Sequence, residues 1–367
     1  MRFKEFSGEW KKIRLGSIIE EIKTYTSDFN KYPLYSFTIE NGVTPKTDRY
    51  ERNFLVTKDG DTFKIVPPNS FVMNPMNLRF GAINYSKVEI PVSVSGYYNI
   101  FEIENGKNNE FWSAYFLTKT AINLYNSVAT GSLIEKKRVH FSQFIQLSFY
   151  VPSDVEKQKI TRFLQLIENR IAVQNKIISD LKVLKKELNG FLISRLIKGK
   201  ESNCKIEDVI DYEQPTYYIV NTDKYIVDGK TPVLTANKAF FLGYTNEKEG
   251  IYDKSDCIVF DDFTLDFKYV DFPFKVKSSA IKILTAKQSI ELKYFYEYLL
   301  FLNLSTNEHK RHYISEIATL PLYLPSIDEQ RHVLSILNAI SSKIAVEEKY
   351  KTSLLIQKKY FLNAMFI

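Results

Sequence analysis

Val151-Pro152-Ser153-Asp154-Val155-Glu156 returns as Leu324-Pro325-Ser326-Ile327-Asp328-Glu329, 173 positions further along the chain. The same offset holds without a gap from Lys137–Ser194 to Lys310–Ile367. Lys137/Lys310, Arg138/Arg311, Ser142/Ser315, Pro152/Pro325, Ser153/Ser326 and Glu156/Glu329 are identical pairs, and Ile171-Ala172-Val173 recurs as Ile344-Ala345-Val346. An ungapped register of this length is the mark of an internal duplication. Upstream the echo is fainter and the offset drifts: Tyr115-Phe116-Leu117 answers Tyr298-Leu299-Leu300, and Pro33-Leu34-Tyr35-Ser36 answers Pro232-Val233-Leu234-Thr235. The chain is therefore one unit written twice, a variable globular part followed by a well-matched tail.

Each tail reads as a long helix. Pro-Ser-x-x-Glu is a helix-start signature, with a capping hydroxyl and a carboxylate three residues on, where the helix dipole favours it. Steps of four and three from Ile160 give Ile160, Leu164, Ile167, Ile171, Gln174, Ile178, Leu181, Lys185 and Leu188, seven of nine apolar. The second tail gives Val333, Leu337, Ile340, Ile344, Glu347, Lys351, Leu354, Lys358 and Phe361. Both stripes break with polar residues at matched places, Gln174/Glu347 and Lys185/Lys358, as expected of partners in one antiparallel coiled coil whose polar breaks help set register. The alternative is that each helix packs on its own globular part. Helices of roughly 40 residues span about 60 Å, comparable to one or two turns of duplex DNA at ~34 Å each.

The globular parts predict short strands over 70–73, 82–85 and 98–103, and again over 257–260, 267–270 and 280–284. Turns are marked by Asn41-Gly42, Asp59-Gly60 and Asp228-Gly229, and helices are expected over 110–126 and 291–303. The expected class is α+β, two mixed globular domains separated by a pair of long antiparallel helices about a pseudo-two-fold axis. The expected boundaries are 1–152, 153–200, 201–325 and 326–367.

Charge is unevenly placed within 367 residues of net charge +7. Residues 153–200 hold 11 Lys/Arg against 5 Asp/Glu, whereas 201–325 hold 14 against 19. A polyanion partner is allowed, and the acidic stretch argues against a uniformly basic surface. No apolar run approaches the ~18 residues of a membrane span, and the first residues lack a signal-peptide pattern. Cys204 and Cys257 are too few for a disulfide framework, which suits a reducing cytosol. The expected location is cytoplasmic.

Catalytic motifs are missing. No Gly-x-Gly occurs, and Asn74-Pro75-Met76-Asn77 is half of an adenine methyltransferase loop, better read as a turn. Gly229-Lys230-Thr231 lacks the upstream glycine of a phosphate loop, with Lys224 in its place. His309-x-x-His312 has neither a cysteine nor a third histidine nearby, so no metal site is expected.

Two variable domains, each followed by a near-constant Pro-Ser-x-x-Glu helix of heptad character, resemble the specificity subunit of type I restriction–modification systems. The resemblance spans the chain and rests on 151–158, 324–330 and the duplication; Trp10-Lys11-Lys12-Ile13-Arg14-Leu15-Gly16 also looks like the start of a recognition domain, an opening that Cys204-Lys205-Ile206-Glu207-Asp208 keeps poorly. It implies that the globular parts are target-recognition domains, each reading half of a split asymmetric DNA site. It also implies that the helices set the unread gap and dock two modification (methyltransferase) subunits, with restriction (motor-nuclease) subunits joining. S-adenosylmethionine, ATP and Mg would then sit on partner subunits and this chain would be non-catalytic. The alternatives are a structural adaptor, a bipartite DNA-binding regulator without a methyltransferase partner, and a self-sufficient enzyme.

The repeat itself nominates DNA contacts. Lys137-Arg138 and Lys310-Arg311 each precede a serine (Ser142, Ser315) expected to cap a short helix, and cations beside a helix N-terminus suit phosphate oxygens or a guanine edge. An ordinary exposed basic pair is the competing reading. Small polar loops precede them, Thr130-Gly131-Ser132 and Ser305-Thr306-Asn307. Further candidates are Lys46, Arg49, Arg52 and Arg79 in the first domain, and Asn237, Lys238, Lys275 and Lys277 in the second. Ile160, Leu164, Ile167, Ile171, Leu181, Leu337, Ile340, Ile344 and Leu354 are the helix-pair or partner-docking candidates.

Overall fold

Both Pro-Ser-x-x-Glu stretches open long helices, Asp154–Ile197 and Ile327–Ala364, in a computed structural model. It describes residues 1–39, 41–45, 63–132, 137–222, 224–237, 239–287, 289–308 and 310–366. At the second start the box is reciprocal: Ser326 Oγ accepts the Glu329 N–H at 3.4 Å, and the Glu329 carboxylate accepts the Ser326 N–H at 2.9 Å. At the first, Ser153 Oγ accepts the Glu156 N–H at 3.4 Å, but the Glu156 carboxylate turns to the Arg2 guanidinium, two bonds of 2.7 Å. One repeated carboxylate thus closes a helix end in one copy and anchors the N-terminal arm in the other.

The chain divides into two compact units, Met1–Asn175 with Tyr350–Ile367, and Lys176–Lys349. In the first, a four-stranded sheet runs in the order Ile19–Ile22, Asn99–Ile103, Phe71–Met73, Ile83–Tyr85, all antiparallel. Helices Asn109–Phe116 and Lys119–Val128 belong to the same core, which is rich in aromatic residues including Phe71, Phe101, Trp112, Phe116 and Phe149. The single helix expected over 110–126 is two. Thr118 is extended, its Oγ1 accepting the Ala121 N–H at 3.2 Å and donating to the Tyr115 carbonyl at 2.8 Å, so the second helix starts at its own cap. A smaller sheet of Tyr25–Thr26, Phe63–Val66 and Val92–Ser95 and a hairpin of Tyr35–Thr38 with Gly42–Pro45 complete the unit. Gly42 has φ +64°, which the turn at Asn41-Gly42 requires.

The second unit repeats the order: Ile210–Glu213, Ile281–Ala286, Cys257–Asp261, Phe267–Val270. Helix Leu292–Leu302 contributes Tyr294, Phe295 and Leu299 to its core. The strand Thr231–Leu234 pairs antiparallel with Phe241–Thr245 and parallel with Lys275–Val276. Backbone bonds reveal the register of the duplication. Leu15 N–H reaches the Leu147 carbonyl at 2.9 Å and Gly16 N–H that of Ile145 at 2.8 Å; Ile206 reaches Leu320 at 3.1 Å and Glu207 reaches Ala318 at 2.8 Å. Leu15-Gly16 therefore corresponds to Ile206-Glu207, although the side chains share little.

Within each unit the helical segments run antiparallel. In the first, Phe163 meets Phe361 with ring centroids 5.0 Å apart and Glu168 meets Lys358 at 3.0 Å. In the second, Lys182 meets Glu348 at 2.7 Å, and Leu188, Leu192 and Ile193 share a core with Val333, Leu334 and Leu337. Ile160, Leu164, Ile167, Leu337 and Leu354 are buried, and Ile171, Leu181, Ile340 and Ile344 are half-buried. Lys185, a polar break in the stripe, pairs at 2.6 Å with Glu297 on the Leu292–Leu302 helix. The helices pack on each other and on the globular parts together.

Candidate nucleic-acid interface

Lys137-Arg138 sits on a loop closed by two backbone bonds of 2.9 Å between Thr130 and Arg138. Gly131 and Ser132 lie exposed at its start, with Gly131 at φ +152°. Lys137 is half-buried and Arg138 exposed, with no side-chain partner among the described residues. The next residue, Val139, is buried and donates its N–H to the Pro75 carbonyl at 3.0 Å, in the turn between two sheet strands. A buried residue next to an exposed cation makes a rigid base for it.

The helix after the pair is Phe141–Phe144, and its cap is His140, whose N–H bonds to Gln143 Oε1 at 2.9 Å. Ser142 lies inside the helix, so the expected serine cap is corrected. In the second copy Ser315 likewise lies inside the π-turn Tyr313–Ile317, preceded by His312. Turns of four and five residues align too few peptides to act as anion sites, so the expected contribution of a helix N-terminus falls away.

The two basic pairs are not equivalent. Lys310 is held between Glu308 at 2.6 Å and Glu316 at 2.7 Å, and these carboxylates raise its pKa above the usual lysine value. Its charge is shared with two exposed carboxylates, so a phosphate oxygen would compete with them for it. Arg311 is exposed with its guanidinium 5.8 Å from the Phe263 ring centre. His312, which corresponds to buried Val139, is itself buried, its backbone N–H donating to the Asp262 carbonyl at 3.0 Å. Its Nδ1 lies 2.8 Å from Glu316 Oε2 and its Nε2 lies 3.2 Å from Thr306 Oγ1. The hydrogen bond to Glu316 raises the histidine pKa. The Ser305-Thr306-Asn307 loop is thus tied to the cluster.

The remaining candidates divide. Arg79 bonds Asn126 Oδ1 through Nε at 2.7 Å and lies over the Phe80 ring. Asn237 is exposed, its side chain accepting the Ala239 N–H at 3.1 Å. Lys277 is exposed with Nζ 5.7 Å from the Tyr225 ring centre. Lys275 is buried: Nζ donates to the Glu249 carbonyl at 2.6 Å and meets Glu247 at 3.1 Å. It staples a loop and cannot reach a groove, a second correction. Lys46, Arg49, Arg52 and Lys238, with the turn at Asp59-Gly60, lie outside the described residues.

Surface aromatics escaped sequence reasoning. Tyr97, 86% exposed, tips the turn between Val92–Ser95 and Asn99–Ile103, and Tyr217, 70% exposed, lies on the Pro215–Tyr218 turn. Nothing in a chain with 24 tyrosines separates them from core tyrosines until the turns are placed. Among the described residues no group of three or more His, Cys, Asp or Glu could hold a metal, and no helix is long and apolar enough to cross a membrane. Cys257 is buried, and burial pushes its thiol up to about 12, so it is no nucleophile.

Two copies of one sheet-and-helix frame, dressed with different exposed side chains, define a duplicated α+β protein that presents two dissimilar surfaces. Residues 7–183 match the family described as the type I restriction modification DNA specificity domain. That match takes in 177 of the 367 residues, so it shows a likeness of the first part of the chain to this family. The specificity subunit of the Escherichia coli type I restriction enzyme EcoR124I/EcoR124II is 39% identical over 168 residues; the match covers 44% of this chain and only 40% of that protein. The fold is shared over the whole chain with the S subunit of a type I restriction–modification system from M. genitalium, at TM-score 0.54 and 14% identity, covering 100% of this chain and 99% of that one. A structure addressing complex assembly and conformational transition of the type I R-M system aligns at TM-score 0.57 and 12% identity, covering 98% of both chains.

Proposed function

We propose that this chain is the non-catalytic, DNA-reading component of a cytoplasmic type I restriction–modification assembly. Each unit reads one half of a bipartite, asymmetric site. The long helices set the unread gap and dock two methyltransferase subunits, and motor-nuclease subunits join them. S-adenosylmethionine, ATP and Mg sit on those partners.

The observation that carries this reading is the repeated frame with unlike surfaces: the same backbone bonds and sheet order, but Gly16 against Glu207, Val139 against His312, and an Arg138 with no side-chain partner among the described residues against Arg311 over Phe263. One frame used twice supports two equivalent docking positions; unlike side chains support two different half-sites. Docking is further supported by exposed apolar residues on the long helices, Leu166 and Val173 in the first unit and Val183, Leu184 and Phe191 in the second. In this scheme Arg138 and Arg311 would read base edges, and Tyr97 and Tyr217 would add apolar contact area. Methylome sequencing of the host with and without the gene tests the reading. A bipartite adenine mark that disappears on deletion is expected; an unchanged methylome, or loss of a continuous mark, overturns it.

A further inference from the structure

Arg311 stands between two anchored neighbours. On one side Lys310 is paired with Glu308 and Glu316. On the other, the His312 and Tyr313 N–H groups both donate to Asp262 Oδ1, at 3.1 and 2.7 Å, and the His312 N–H is shared with the Asp262 carbonyl at 3.0 Å. Asp262 is 1% exposed, and its own N–H donates to the Ala280 carbonyl at 2.9 Å. Its second carboxylate oxygen lies 3.4 Å from Nζ of Lys282, equally buried, which donates to Gln214 Oε1 at 2.9 Å. A carboxylate with a cation behind it and two amides in front is held in place, because displacing it strands a charge in a dry interior.

The residue after Asp262 supports the arginine side chain. Phe263 is half-buried in the turn between Cys257–Asp261 and Phe267–Val270, and Asp261 Oδ1 accepts the Phe263 and Thr264 N–H groups at 2.9 and 3.0 Å. The Arg311 guanidinium, 5.8 Å from the Phe263 ring centre, is within cation–π range. One turn thus grips the backbone beyond Arg311 through Asp262 and braces its side chain through Phe263.

The duplication supplies the comparison. Asn74 N–H donates to the Ala82 carbonyl at 2.9 Å, as Asp261 N–H does to that of Asp266 at 2.8 Å. Asn74 Oδ1 accepts the Met76 N–H at 3.0 Å, as Asp261 Oδ1 accepts that of Phe263. The Pro75 carbonyl accepts the Val139 N–H, as that of Asp262 accepts the His312 N–H. Asn74-Pro75-Met76 therefore corresponds to Asp261-Asp262-Phe263. Proline has no carboxylate to offer, and the N–H of His140, the counterpart of Tyr313, is bonded by Gln143 of its own turn at 2.9 Å. Glu316, the counterpart of Gln143, bonds Lys310 and His312 instead. The carboxylate clamp and the ring are features of the second unit; the first has Pro75 and Met76 in their places.

We propose that Asp262 and Phe263 are positioning residues for base selection by the second unit, together holding Arg311 in the orientation in which its guanidinium meets a base edge. The proposal rests on the reading of Arg311 given above. A side chain ordered before binding loses less conformational freedom at the interface, so more of its contact energy separates the right base from the wrong one. Arg138, with neither support, is the freer of the two.

The test uses the full chain with the subunits that copurify with it and a library of randomised duplex DNA, the retained duplexes being sequenced. Arg311→Ala identifies the base positions that depend on Arg311. At those positions Phe263→Leu is expected to lower the base preference about two- to fivefold, and Phe263→Tyr to keep it. Asp262→Ala with Lys282→Met, which removes the clamp without stranding a buried charge, is expected to lower it too. Positions that depend on Arg138 are expected to stay sharp in every one of these variants, whereas a merely structural role would weaken both halves of the site together. Phe263→Leu alters only a half-buried turn and decides the matter should the double variant not fold. Unchanged preference in Phe263→Leu or in a folded double variant, a Phe263→Tyr as relaxed as Phe263→Leu, or a loss spread over both halves overturns the positioning role and leaves Arg311 a reader. If Arg311→Ala alters no position, the reading of Arg311 fails and the positioning role fails with it.

Discussion

At the scale of single residues, the duplication shows one position adapted twice. Lys157 and Gln330 are equivalent, and both are buried just inside a long helix. Lys157 is paired with Glu104 at 2.7 Å and lies 5.7 Å from the Trp112 ring centre. Gln330 instead accepts the Glu291 N–H at 2.8 Å and donates to the Pro325 and Ser289 carbonyls at 2.9 and 3.2 Å. Gln330→Leu leaves those groups without partners and should cost about 1–3 kcal/mol in urea denaturation. His312 makes a different forecast. Its pKa is raised in the folded chain by Glu316, so its protonated form stabilises the second unit below the ordinary histidine value, and that contribution is lost as pH climbs through the raised one. Glu316 is lowered by Lys310 and His312, and its contribution is lost as pH falls from the ordinary glutamate value through the lowered one. Thermal stability of the second unit should therefore decline as pH rises above the ordinary histidine value of about 6.5, and His312→Gln should flatten that part of the curve.

At the scale of elements, the heptad arithmetic identified which faces of the long helices turn inward, because 3.5-residue periodicity is a backbone property carried by any apolar side chain. Leu337, wholly buried, should lose about 2–5 kcal/mol on truncation to alanine. Leu166, 57% exposed on the other face, should tolerate Leu166→Glu within about 0.5 kcal/mol while reducing copurification with the proposed methyltransferase subunits. A stable variant that still recruits its partner at full yield would remove that face from the docking proposal. The break at Thr118 was not legible: apolar residues on both sides read as one helix, and only the Thr118 side chain, bonding back to Tyr115 and forward to Ala121, shows where the chain restarts.

At the scale of the whole molecule, two units on a common frame with unlike surfaces lead to separable effects. Arg138→Ala should cost about 1–3 kcal/mol of DNA binding and relax one half-site. Arg311→Ala should relax the other, and the double variant should be additive, as independent sites are. A salt-controlled titration with half-site mutants reads this directly; coupled losses, or both substitutions acting on one half-site, would contradict independent reading. The acidic balance of 201–325, hard to reconcile with DNA binding from composition, is partly internal once contacts are known: Glu247 neutralises Lys275, while Glu308 and Glu316 neutralise Lys310.

Duplication, helix starts, heptad faces and most strands were determined by sequence, because each is a local pattern of spacing and residue type repeated on one chain. Which cations remain available was decided only by tertiary structure. Lys275 reads like any other lysine until the fold brings Glu247 and the Glu249 carbonyl against it, and charge neutralisation there depends on distance in space rather than along the chain. The match of Leu15-Gly16 to Ile206-Glu207 likewise emerged from backbone hydrogen bonds, which conserve geometry after side chains have diverged.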